Sequence, residues 1–119
     1  PATRLFQLRD LLFRACRVVL DAALHSGRMG PEQAVDYLVD EVMLDPTLAT
    51  REVQRYCMTP TQPMSYLVGK LQILELRSEA QQRLGHRFHL HDFHAALLAS
   101  GTIPPALVRE ELWPRLGLA

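Results

Sequence analysis

Four of the five histidines in this chain, His86, His89, His91 and His94, crowd into one short stretch, and imidazole is a preferred zinc ligand. His91 and His94 are an i, i+3 pair that can share a helix face, but His89 precedes the expected helix and no Cys or Glu completes a recognised zinc pattern. The alternative is a polar turn in which one or two of these histidines cap helices. A second set lies between Arg51 and Lys70, where Arg55, Tyr56, Gln62 and Tyr66 flank a proline break and so gather around one helix entry. A helix N-terminus offers unsatisfied N–H groups and a positive partial charge, which favour an anion or a developing oxyanion, and a phenol such as Tyr66 on that first turn could add a donor. The alternative is that Tyr56 and Tyr66 are amphipathic rim residues of the core. Other chemistry has little to stand on. There is no H-E-x-x-H, no Gly-rich phosphate cradle, and no elbow motif around Ser26, Ser65, Ser78 or Ser100. Glu32, Asp40, Glu41, Glu52, Glu75 and Glu79 fall mostly among other charges on faces expected to be solvated.

The elements that must position these groups read as helices. Leu5, Leu8, Leu12, Ala15, Val19 and Ala23 recur at spacings of three and four with Arg4, Arg9, Asp10, Arg14 and Arg17 between them, predicting an amphipathic helix from Thr3 to His25. Pro31 opens a second helix with Ala34, Leu38 and Val42 on one face, and Asp45-Pro46 caps and opens a third through Val53, Tyr56 and Cys57. Pro60 and Pro63 deny backbone donors, so a long fourth helix is predicted only from Met64, with Leu67, Leu71, Leu74 and Ser78 in line and Gly85 ending it. A fifth runs through Phe93 and Leu97 to about Gly101. A sixth opens at Pro104-Pro105, carries Leu107, Val108, Leu112 and Trp113, and is expected to stop before Pro114. No strand alternation, fixed-period repeat or low-complexity tract interrupts this pattern. The expected fold is all-α, an irregular bundle of about six helices with short connections, forming one domain over residues 1–119.

Thirteen basic residues balance thirteen acidic ones, which leaves no excess positive field for nucleic acid or an anionic membrane surface. Apolar runs are broken by charge well short of a membrane span. Cys16 and Cys57 are too few for a disulfide framework, and each is expected to pack as a small hydrophobe.

The order of short motifs adds a family likeness. Arg17-Val18-Val19-Leu20-Asp21 leads to Leu24-His25, then come Glu32-Gln33-Ala34, Glu52-Val53-x-Arg55-Tyr56 and Pro60-x-Gln62-x-x-x-Tyr66-x-x-Gly69. Ile73-Leu74-Glu75-Leu76-Arg77, Gly85-x-x-Phe88 and Phe93-His94 complete the set. Together they resemble the C-terminal segment of the bacterial domain of unknown function 885 (DUF885) family, whose members look like zinc metallopeptidases of the gluzincin kind. The resemblance implies that zinc and its H-E-x-x-H helix lie upstream, with no metal site in this chain. It casts His25 and Tyr66 as groups that polarise or stabilise a scissile carbonyl, Arg55 as the grip on a substrate carboxylate, and Gln62 as a further substrate-binding residue. It further implies that the chain belongs to a larger protein, partners the remainder of it, and is not catalytic alone. A segment separated from such a partner would expose apolar surface and self-associate. The competing reading is a stand-alone helical interaction module without enzymatic activity. The chain departs from the family pattern where Ala22 and Ala23 replace Thr-Gly, Met29 replaces Trp, Thr61 replaces Gly and Leu67 replaces Lys.

Overall fold

The computed structural model describes residues 2–118, and its elements are all helical. They are α1 (Ala2–His25), α2 (Pro31–Val42), α3 (Pro46–Met58), α4 (Gln62–Leu84), α5 (Leu90–Ala99) and α6 (Pro105–Arg115), with one 3₁₀ turn at Gly85–Arg87. The predicted all-α class and the six helices are therefore as the periodicity required. No helix among the described residues is long and apolar enough to cross a membrane. The chain divides into two compact units, the first ending at Val68 and the second beginning at Gly69.

In the first unit, local signals set the helix starts. The Asp45 carboxylate accepts from the N–H groups of Thr47 at 2.9 Å and Leu48 at 3.1 Å, so α3 is capped as its sequence predicts. At α2, Pro31 fills a position whose N–H has no helical partner, and the Gly30 N–H donates to Gln33 Oε1 at 2.9 Å. The core joins Cys16 and Leu20 of α1 to Ala34, Leu38 and Val42 of α2 and Ala49, Val53 and Tyr56 of α3. In the second unit Leu76 and Ala80 of α4 pack with Phe93, Ala96, Val108 and Leu112.

Five expectations change in detail. The helix predicted from Met64 starts at Gln62, because Pro63 sits in the first turn, where its missing N–H costs nothing, and is itself buried. Helix α6 continues through Pro114 to Arg115, since a proline this near the end removes a single internal bond. The buried face of α1 is not the leucine stripe: Leu5, Leu8, Leu12 and Val19 are exposed, while Cys16, Arg17, Leu20, Asp21 and Ala23 are buried. Likewise Leu71 and Leu74 of α4 lie in the open, and Leu76, Ala80 and Leu84 are the residues inside. Cys16 packs in the core as expected, but Cys57 is exposed, and both thiols are free.

Candidate functional site

The two buried polar residues of α1 define the site. Arg17, Asp21 and His25 are spaced four apart and so follow one another along a single face. Asp21, only 2% exposed, is the junction. Its carboxylate accepts from the backbone N–H of Thr61 at 3.1 Å and of Met64 at 3.3 Å, and lies 3.3 Å from His25 Nε2. A buried carboxylate needs such donors, and the entry of α4 needs an acceptor for its free N–H groups, so each satisfies the other. Thr61 reaches this geometry with φ +69°, a left-handed conformation that is strained for a β-branched residue.

His25 Nε2 also lies 3.2 Å from the carbonyl oxygen of Tyr56. Both of its partners are acceptors, which places a proton on Nε2. The nitrogen left for anything beyond the protein is Nδ1, a lone pair in the neutral ring and a donor only in the imidazolium.

On α3, Glu52 takes Arg55 through a two-point contact, Nε to Oε1 at 3.3 Å and Nη2 to Oε2 at 2.7 Å, and accepts from the Tyr56 hydroxyl at 2.8 Å. Arg55 Nη1 then donates to Gln62 Oε1 at 2.8 Å, and Gln62 Nε2 donates to the Tyr66 hydroxyl oxygen at 3.4 Å. Burial pushes the Glu52 carboxyl up, but the hydrogen bonds from Arg55 and Tyr56, with the charges of Arg55 and Arg17, outweigh it and leave the group below its ordinary value. The same pairing holds the Arg55 guanidinium above its usual range. Burial, then the bond to Glu52, pushes the Tyr56 phenol up, so that it remains a neutral donor.

Arg17 lies between aromatic rings, its guanidinium carbon 4.6 Å from the centroid of Tyr66, 5.6 Å from Tyr56 and 5.8 Å from Phe13. Of the residues singled out by the sequence, Arg55, Gln62 and Tyr66 thus form one hydrogen-bonded run, and His25 is tied to the same helix entry through Asp21. Arg17, Asp21 and Glu52 belong to the site although motif reasoning gave them no role. For the first two the sequence carries the Arg17-Val18-Val19-Leu20-Asp21 motif and a ladder of four-residue steps from Arg17 through Asp21 to His25, neither of which assigns a role.

The histidines near residue 90 form no such assembly. His91 is largely exposed and pairs with Asp92 at 3.2 Å, and His89 occupies the N-cap position of α5 without a side-chain cap bond. Among the described residues no group of three His, Cys, Asp or Glu side chains could hold a metal ion. The donor set for zinc is therefore not met within them.

Residues 1–112 match the profile of a family described as "Bacterial protein of unknown function (DUF885)". The chain belongs to the DUF885 family. One solved structure, described as "the putative lipoprotein from Colwellia psychrerythraea", is 36% identical, superposes with a TM-score of 0.87, and is matched over 92% of this chain and 19% of its own. The DUF885 chain thus spans about a fifth of the length of that protein. No curated protein matches it.

Proposed function

We propose that this DUF885 chain forms one polar wall of a peptide-binding cleft in a larger, metallopeptidase-like protein, and that it is not hydrolytic by itself. The observation that carries the reading is the convergence on Asp21: one buried carboxylate fixes both the entry of α4 and the ring of His25. Such fixing is costly to build for packing alone, and it pre-orients polar atoms as carbonyl recognition requires. Tyr66, 51% exposed, already accepts from Gln62, so its own O–H is available to donate to a substrate carbonyl oxygen. His25 donates from Nδ1 only when its ring is charged. Arg55 is committed to Glu52 and Gln62, so in this reading the two residues act on the substrate through Tyr66, Arg55 orienting Gln62 and Gln62 donating to the Tyr66 hydroxyl while its ring lies over Arg17. Zinc has no ligand set among the described residues, so any metal would be held by other parts of the protein. The peptide substrate and the remainder of the protein are the partners this wall would face.

The test is peptide hydrolysis by the complete gene product carrying His25→Gln, set beside the 119-residue chain alone. The expected outcome is no turnover by the chain and a fall in kcat of about 10²-fold in the variant with KM little changed, the signature of a lost transition-state contact. Hydrolysis by the isolated chain, or an unaltered kcat in the variant, overturns the reading.

A further inference from the structure

Arg17 is 7% exposed, and its Nε and Nη2 atoms are buried with no hydrogen-bond partner among the described residues. The rings of Phe13, Tyr56 and Tyr66 lie around the guanidinium and favour its charge, but hydrogen bonding to its N–H groups needs acceptors that rings supply only weakly. Burying two such donors without acceptors is unfavourable, and natural sites of this kind call for an explanation. The neighbouring arginine shows what this edge accepts. Arg55 uses the same pair of atoms, Nε and Nη2, to hold the Glu52 carboxylate at two points. A planar guanidinium fork matches a carboxylate in this way, whereas a single neutral oxygen leaves one donor idle.

We propose that Arg17 is the carboxylate receptor of this face: its Nε and Nη2 donors bind a ligand carboxylate side-on, and Tyr66 is the movable cover that admits it. Of the three rings around the guanidinium, Tyr66 is the closest, at 4.6 Å, and the most exposed, at 51%, while Tyr56 is fully buried. The Tyr66 hydroxyl is held by a single long bond of 3.4 Å from Gln62, so the ring can turn out without breaking the core. This assigns to Arg17 the grip on a carboxylate for which Arg55, satisfied on both sides, is not available. The identity of that carboxylate as part of a peptide rests on the cleft reading; the receptor itself does not.

The experiment is a titration of the isotope-labelled chain with acetate, with acetamide as the uncharged control, following the Arg17 Nε–H and Tyr66 ring signals by nuclear magnetic resonance. Acetate is expected to shift both saturably and acetamide to shift neither. Arg17→Lys keeps the charge but not the fork and is expected to lose the saturable response. Tyr66→Ala removes an exposed side chain and is expected to lower the half-saturating acetate concentration several-fold, which tests the idea even if the Arg17 variant fails to fold. No acetate response at Arg17, an equal response to acetamide, or a response centred on Arg55 overturns it. A second arm compares acetyl-Ala-Ala with acetyl-Ala-Asp amide; preference for the first assigns a chain-terminal carboxylate, and for the second an acidic side chain. Acetate binding in a complete protein that hydrolyses no peptide would keep the receptor and defeat the cleft, and the converse result would do the reverse.

Discussion

Asp21 is a buried junction that serves three donors from two directions. Replacing it with Ala leaves the Thr61 and Met64 N–H groups without their acceptor. The expected loss is about 3 kcal/mol of folding stability, read as a lowered urea midpoint at unchanged slope. Thr61 is the opposite case. Its φ of +69° is a conformation glycine adopts freely, so Thr61→Gly is expected to stabilise the chain by about 1 kcal/mol, measured the same way. A neutral or negative change there would mean that the threonine side chain compensates for its backbone. The resemblance made Thr61 visible as a departure, whereas the burial of Arg17 and Asp21 was not legible. In a periodicity count both are polar spacers, and only the aromatic rings and the α4 entry, distant in sequence, make their burial tolerable.

At the level of elements, α3 and the entry of α4 form one electrostatic unit. Glu52 is more acidic in the folded chain than its ordinary value of 4.5, so its contribution to stability is fully present above that value. It is lost as pH falls through the lower folded value. The urea midpoint is therefore expected to drop on acidification below about pH 4.5, and Glu52→Gln should give a lower plateau at neutral pH and a shallower acid decline. An acid profile identical in the two proteins would show that Glu52 gains nothing on folding. Helix starts at Pro31 and Asp45-Pro46 were readable because proline and aspartate signal through their own backbone positions. Helix α4 starts two residues before the position its local signals predict, for the reverse reason. Its anchor is a side chain about forty positions earlier, and no local pattern records it.

At the level of the whole chain, the leucine stripe that predicted α1 is the part left uncovered. Leu5, Phe6, Leu8 and Leu12, with Met43, line a groove of about 630 Å³, and Phe6 is 63% exposed. The α1 pattern was therefore a true sign of an apolar face and a false guide to which core it joins. On the proposed reading, a further part of the larger protein would cover this groove. In isolation the chain should then pair through it, and Phe6→Glu should shift sedimentation toward the monomer without loss of helix signal. A wild-type chain that remains monomeric at high concentration argues against a partner for this face. The functional claim is tested most directly by removing one oxygen atom. In the complete protein, Tyr66→Phe is expected to lower kcat for peptide hydrolysis by about 10²-fold with KM nearly unchanged, and a kcat equal to wild type contradicts the account.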